Sequence, residues 1–456
     1  MQKKFRAMAA ALGVAALMST TAVTSVRAES IQQALALAYA NNPSLNAARA
    51  GLRGADESVP QALAGWRPTV SASASAGGTR TENSATTTYQ NNASLSLSMS
   101  QALFNGFKTV NSTKQAEAII RAQRESLIAT EQDVLLAAAQ AYVDVIRDTA
   151  LVSLSRSDLE FLNEQVRAAD DRFDVGEGTR TDVSQADARR SSAQASLNAS
   201  LAQLNASRAI YRQIVGVEAN NLSADTSIGI LVPKNLDAAL ATSETSQPVI
   251  RQAVHLVDAG LYGVKVAEGT LMPTVSLSGS LSQSWATNSS TDGTTSASFS
   301  GRVSIPIYQG GSEYSAIRQA KESLGQARLQ LDVARDQVRA NVISAWGNYQ
   351  AAEASISAAQ AAVQAQQLAL EGVLEEQRVG QRTTLDVLDA QRELVSQRVS
   401  LVTAQRTRIV SGYQLLAAVG KLDAGTLGLN VKRYDPTEHY KAVRNKWFGV
   451  RTPDGR

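Results

Sequence analysis

The chain has 456 residues, no cysteine and only two histidines, with 44 basic and 41 acidic side chains. These counts exclude a disulfide framework, thiol chemistry and lipidation on an N-terminal cysteine, and leave little from which to build a histidine metal site. The first 28 residues hold four of the basic side chains and none of the acidic ones. The remainder is close to neutral, 40 basic against 41 acidic, and implies no nucleic acid or other polyanion as a partner.

In chain order, the first predicted element is a signal peptide over residues 1–28. Lys3, Lys4 and Arg6 precede an apolar run over about 7–18, and Val26-Arg27-Ala28 supplies small residues at a cleavage site. That run is shorter than the roughly 20 apolar residues of a spanning helix, and no later run is longer. A place in a membrane must therefore be taken by a β-barrel. Aromatic residues are 5% of a chain crowded with Ala, Gln and Ser, which suits thin helical walls packed through small side chains better than a thick core.

From Glu29 onward the chain is written twice. Pro68-Thr69-Val70-Ser71 recurs as Pro273-Thr274-Val275-Ser276, and Pro43 as Pro248, at an offset of 205. Ser100, Gly106, Val175-Gly176, Asp182-Val183 and Val215-Gly216 recur as Ser304, Gly310, Val379-Gly380, Asp386-Val387 and Val419-Gly420 at an offset of 204. So long a period marks a duplicated domain rather than a solenoid: a first repeat over 29–225, a second over 226–422, and a C-terminal tail over 423–456.

Each repeat opens on a helix, continues as a β-hairpin (67–104 and 272–309) and ends in a long helical hairpin (107–216 and 312–420). Ser alternates with mostly Val, Ala or Leu over 70–76, 93–99, 275–281 and 297–305, giving four strands, while the Thr-, Asn-, Ser- and Gly-rich segments 77–92 and 287–296 read as solvated loops. In the helical parts Val145, Val152, Leu159, Val166 and Phe173 stand seven apart, as do Leu388, Val395, Val402, Ile409 and Leu416. A strict seven-residue repeat imposes left-handed supercoiling on neighbouring helices. No proline interrupts 107–175, so a continuous helix there is on the order of 100 Å long. Gly176-Glu177-Gly178 and Gly380 mark tight tips, after which Thr179 and Thr383 start the returning helices.

Alternate residues of a transmembrane strand face lipid and lumen, and a column of serines opposite Val, Ala and Leu meets that requirement. Trp66 before the first strand, Trp285 after the third, and Phe104 and Tyr308 at the ends of the second and fourth fall where interfacial girdles belong. A soluble β-sandwich also uses alternating strands, but it does not account for a hairpin followed by so long a helix. Four strands cannot close a barrel, so the open edges call for other subunits. Two copies supply eight strands and three supply twelve, and only the larger ring leaves an aqueous bore.

The stretch Val379-Gly-Gln-Arg-Thr-Thr-Leu-Asp-Val-Leu-Asp389, with its weaker sister Val175-Gly-Glu-Gly-Thr-Arg-Thr-Asp-Val183, resembles the TolC family of outer-membrane efflux proteins. The likeness runs to about Leu422, and length, signal and Ala/Gln-rich helices are similar to BepC-type members of alphaproteobacteria. The resemblance implies an α+β membrane protein, a duplicated repeat giving a trimeric 12-stranded transmembrane β-barrel continued by a long α-helical coiled-coil barrel in the periplasm of a Gram-negative bacterium. It further implies contact with outer-membrane lipid and docking to a periplasmic membrane-fusion adaptor and an inner-membrane transporter of resistance-nodulation-division or ABC type. The implied activity is export of toxic, relatively hydrophobic compounds, or type I secretion, with no cofactor and no catalysis.

Asp386 and Asp389 are three apart just past a helix start and share a face, so threefold symmetry turns each into a ring of carboxylates that attracts cations where a pore narrows. Equally, acidic residues at that place complement the helix macrodipole. By motif position the family's periplasmic gate falls on Thr181 and Asp182 of the first tip and Arg382 of the second, Arg382 being otherwise a solvated surface arginine. The family often has a tyrosine two residues before the second Val-Gly, where this chain has Gln377. The tail lacks both periods; its Lys and Arg, with Trp447 and Phe448, suit lipid headgroups or the equator of the helical barrel, and a mobile terminus is expected. The competing reading is a periplasmic coiled-coil adaptor, against which stand two strand pairs in one chain. No nucleophile with a base, phosphate loop or metal-ligand spacing supports an enzyme.

Overall fold

The computed structural model describes residues 29–224, 232–286 and 293–455. The signal segment 1–28, the repeat boundary at 225–226 and the first part of the 287–296 loop lie outside the described residues. The first repeat runs α1 (Ile31–Asn41), α2 (Pro43–Asp56), α3 (Ser58–Leu63), β1 (Thr69–Glu82), β2 (Thr87–Asn105), α4 (Lys108–Asp174) and α5 (Arg180–Val215). The second runs α6 (Leu236–Ser246), α7 (Pro248–Glu268), β3 (Thr274–Ala286), β4 (Thr294–Ser304), α8 (Ser312–Arg378) and α9 (Thr384–Val419), and α10 (Glu438–Val443) lies in the tail.

The single helix expected at the head of each repeat is broken, at Asn42-Pro43 and at Gln247-Pro248. Asn42 (ψ 124°) and Gln247 (ψ 119°) are extended because a following proline disfavours the helical region, and each proline then starts a new helix at its first position, where no N–H is needed. The recurrence of Pro43 as Pro248 is the sequence trace of this double bend.

The two hairpins merge into one antiparallel sheet in the order β1-β2-β3-β4. Its register places Ser71, Ser98, Ser280 and Ser298 in one cross-strand row and Ser73, Ser96, Ser282 and Ser296 in the next. Hydroxyls pair across the rows, Ser71 with Ser98 at 2.8 Å, Ser73 with Ser96 at 2.7 Å and Ser280 with Ser298 at 2.8 Å. The opposite face carries Val70, Met99, Gly279 and Phe299, then Ala72, Leu97, Leu281 and Ala297. Two expectations change here. Segment 77–92 is not a loop: the β1–β2 ladder continues through Arg80 opposite Tyr89 to Glu82 opposite Thr87, because its Thr and Tyr residues favour extended backbone and the ladder supplies their hydrogen bonds. Only 83–86 turn, with Asn83 Oδ1 accepting from the N–H groups of Ala85 and Thr86. Trp285 lies inside β3, opposite Ala93, rather than after it.

The long helices obey the duplication closely. Both α4 and α8 have 67 residues, and both α5 and α9 have 36. At about 1.5 Å per residue the longer pair spans roughly 100 Å. Of the heptad positions, Val145, Val152, Val166, Leu388 and Leu416 are buried, whereas Phe173, next to the tip, is 44% exposed. Sheet and helices are joined by a close approach of the two repeats at Gly106 (φ 64°) and Gly269, where a Cβ on either residue would overlap the other's carbonyl oxygen.

The main core gathers Leu35 from α1, Leu135 and Tyr142 from α4, Tyr211 from α5, Leu416 from α9, Leu422 at the end of the second repeat and Leu427 and Leu429 from the tail. The tail, expected to be mobile, is instead packed against the helices as far as Val443. Leu422, Ala424, Leu427 and Leu429 are buried, and the Glu131 carboxylate accepts the Ala424 N–H at 2.8 Å. Further along, the Tyr434 N–H donates to the Tyr39 hydroxyl at 3.0 Å, His439 Nδ1 lies 3.0 Å from Asp56 Oδ2, and the Tyr440 hydroxyl donates to Glu117 at 3.0 Å. A segment without periodicity packs here because its partners belong to other elements. Burial pushes the Asp56 carboxyl up, against the pull of His439. Replacing His439 by Ala leaves the buried Asp56 carboxyl without its hydrogen-bond partner, a loss on the order of 1–3 kcal/mol. Limited proteolysis should then cut within 430–455 much faster than in the unaltered protein; an unchanged cleavage rate would show that this pair does not hold the tail.

Candidate functional site

The two helix tips are built alike from the same local chemistry. In the first, Gly176 (φ 82°) takes the left-handed conformation, and the Glu177 N–H returns to the Arg172 carbonyl at 2.8 Å. In the second, Gly380 (φ 77°) does the same, and the Gln381 N–H reaches the Glu376 carbonyl at 2.8 Å. Each returning helix then starts on a reciprocal cap. Thr179 Oγ1 accepts the Asp182 N–H at 3.2 Å while Asp182 Oδ2 accepts the Thr179 N–H at 3.0 Å; Thr383 and Asp386 repeat this at 3.2 and 2.9 Å.

Asp182 and Asp386 are therefore held as caps. The N–H and hydroxyl of Thr383, with Arg382 nearby, keep the Asp386 carboxyl below the usual carboxylate range. Arg382 is exposed, and its Nε donates to Glu376 Oε2 at 2.8 Å in its own tip. Thr181 is exposed. Within the chain, then, Arg382 is paired with Glu376 and Asp182 with Thr179, rather than the two tips with each other. Gln377, at the tyrosine position, is buried and donates to Thr384 Oγ1 at 3.4 Å.

What does join the hairpins lies just behind the tips. Asp389 Oδ1 accepts from Arg189 of α5 at 2.9 Å, with Arg392 at 3.9 Å, so its charge is opposed inside the chain. Further from the tips, Gln391 donates to Asp158 of α4 at 2.8 Å, and Arg406 grips Asp144 of α4 through Nε at 2.8 Å and Nη2 at 3.3 Å. Under these links Leu388 of α9 inserts among Leu162, Val166, Ala186 and Ala193 of the first hairpin. Sequence reasoning missed Arg189, Asp144, Asp158, Gln391, Arg406 and Glu376. The inter-hairpin partners stand some 200 residues apart or more, where neither heptad nor motif spacing reaches.

The sequence matches the family described as outer membrane efflux protein over residues 34–217 and 239–421. The chain belongs to the outer membrane efflux protein family. It is 44% identical to the outer membrane efflux protein BepC of Brucella suis biovar 1 (strain 1330), over 99% of both chains. It is 26% identical to the outer membrane protein TolC of Escherichia coli (strain K12), over 87% of this chain and 83% of that one. Its fold superimposes on the crystal structure of the Campylobacter jejuni CmeC outer membrane channel with a TM-score of 0.76, at 16% identity, over 91% of this chain and 89% of that one.

This outer membrane efflux protein resides in the outer membrane of a Gram-negative bacterium, extends a long helical part into the periplasm and acts as an efflux channel; its family is one of channels, not of enzymes. No helix among the described residues is long and apolar enough to cross a membrane. Leu388 is the large side chain that the second hairpin packs into the first near the tips. Leu388→Ala opens a cavity costing about 2–5 kcal/mol. Hydrogen exchange should accelerate in 160–195 and 384–395 and stay unchanged in the sheet.

Proposed function

We propose that three copies of the chain form a twelve-stranded barrel continued by a twelve-helix periplasmic tunnel. The observation that carries this reading is that β1 and β4 end the sheet with open edges, while its two faces are sorted into serine rows and apolar rows. In lipid every backbone N–H and C=O needs a partner, so β1 of one copy must pair with β4 of the next. The serine face then lines the bore and the apolar face meets lipid. A periplasmic membrane-fusion adaptor and an inner-membrane transporter of resistance-nodulation-division or ABC type complete the export path. Cargo enters at the helical tips and leaves through the barrel. In this reading the cargo is toxic, relatively hydrophobic compounds.

The tips form the periplasmic gate in this reading. Arg382 exchanges Glu376 for Thr181 and Asp182 of a neighbouring tip when the mouth closes, and the charge of Asp386 forms the outermost acidic ring. Asp389, already opposed by Arg189, contributes a weaker ring behind it.

The purified protein in detergent should have the mass of a trimer; a monomer or dimer would remove the twelve-strand argument. Leu281→Arg on the apolar face should impair assembly by roughly 2–4 kcal/mol if it sits near the bilayer midplane, whereas Ser280→Arg should be tolerated and reduce conductance. Equal assembly defects would reverse the assignment of the two faces. Arg382→Ser combined with Asp182→Ala should raise single-channel conductance in planar bilayers with trimer yield unchanged. Asp386→Ala with Asp389→Ala should weaken cation preference, most of the change coming from Asp386 alone. Unaltered conductance and selectivity would return these residues to helix capping.

A further inference from the structure

The end of the tail is pinned where the sheet begins. Arg67, two residues before β1 starts at Thr69, donates from Nη1 to the Lys446 carbonyl at 2.8 Å, and its guanidinium carbon lies 4.9 Å from the centre of the Trp447 ring. Residue 447 therefore stands at the periplasmic rim of the strands. Up to this point the aliphatic side chains Leu427, Leu429 and Val443 of the tail are buried. Past it the pattern inverts: Trp447 is 62%, Phe448 88% and Val450 99% exposed. Gly449, at φ 104°, turns the chain between Phe448 and Val450, and the Lys446 ammonium donates to the Arg451 carbonyl across that turn. The result is a small closed loop presenting three apolar side chains.

Charge sorts the same way. From 441 to 453 the chain carries Lys441, Arg444, Lys446 and Arg451 and no acidic residue. Arg444 is paired with Glu117 at 3.3 Å, which leaves Lys446 and Arg451 flanking the exposed loop. Aromatic rings beside cations, at the level where strands enter lipid, are the composition of a membrane interface: the rings sit at headgroup depth while Lys and Arg reach phosphate oxygens.

We propose that residues 446–451 are an interfacial anchor for the periplasmic leaflet of the outer membrane, with Trp447, Phe448 and Val450 at the boundary of acyl chains and headgroups and Lys446 and Arg451 against anionic phospholipid. The anchor rests on the sheet being the membrane-spanning element, and it continues that element's lipid-facing surface by a few residues of irregular chain. It fixes the height of the tunnel in the bilayer in a chain that has no cysteine to carry an acyl group. Lipid rather than a second copy is the occupant, because the two cations that flank the apolar loop, Lys446 and Arg451, seek an anionic surface.

The absence of cysteine makes the test clean, since a single introduced thiol carries the only spin label. Phe448→Cys, Glu438→Cys and Phe299→Cys are each labelled in the full-length protein and reconstituted in vesicles of phosphatidylethanolamine with phosphatidylglycerol. The label at 448 should collide more with oxygen than with a water-soluble nickel chelate, as should the label at 299 on the apolar face of β4, whereas the label at 438 should show the reverse. In the Phe448→Cys background, Lys446→Glu with Arg451→Glu should shift the 448 label toward the nickel reagent in these vesicles and not in vesicles lacking phosphatidylglycerol. A lipid-exposed 299 with a water-exposed 448 would overturn the anchor while sparing the barrel; a water-exposed 299 would instead overturn the barrel reading. A 448 label shielded from both reagents would assign the loop to a neighbouring copy and overturn lipid contact. Insensitivity to charge reversal would remove the anionic headgroup from the proposal.

Discussion

Everything in this molecule is referred to the backbone ladder between β2 and β3. It is the only strand pairing that crosses from one repeat to the other among the described residues, and its register aligns Ser98 with Ser280 and Leu97 with Leu281. A slip of one residue would bring a serine of one repeat beside a leucine of the other and mix the two faces. The same ladder sets the height at which α4 and α8 start, and since these helices are equal in length, it brings both tips to one level about 100 Å away. The junction glycines Gly106 and Gly269 let the repeats meet closely enough for this alignment to pass from sheet to helix.

Along the helices the hairpins are held to each other by two kinds of contact with different jobs. Leu388 and its neighbours supply burial, each large side chain contributing about 1.5–3 kcal/mol. The Arg189–Asp389, Asp158–Gln391 and Asp144–Arg406 links are partly exposed and contribute about 1 kcal/mol or less apiece. Cohesion therefore comes from the leucine seam, while the polar rungs fix register along it. The gate proposed at the tips would break only exposed polar links on a firmly packed stem, and so would open without unfolding.

The tail adds a strap running from the core at Leu422 to the rim at Arg67. It crosses α1, α2 and α4, so it couples the equator of the helical part to the base of the sheet. Its fastenings are specific and irregular: a buried histidine and carboxylate, a carboxylate on a backbone N–H, a guanidinium stacked on an indole. Chain that follows no period is costly to order, and these contacts offset that cost.

The sequence by itself determined the architecture wherever a local period carries it. Serine alternation marked the four strands, heptads the long helices, the paired Val-Gly motifs both tips, and the offset near 204 the duplication, because each depends on residues close along the chain or on comparison of the chain with itself. The extension of β1 to Glu82 was hidden in a stretch of loop-like composition, since pairing with Thr87 and Tyr89 overrides the propensity of Asn and Gly. Tertiary structure alone decided that Asp389 is opposed by Arg189, that Arg406 grips Asp144, and that His439 meets Asp56. Charge partners are chosen by which side chains the packed helices bring within about 3 Å, and no spacing rule along a chain encodes a meeting between residues hundreds of positions apart.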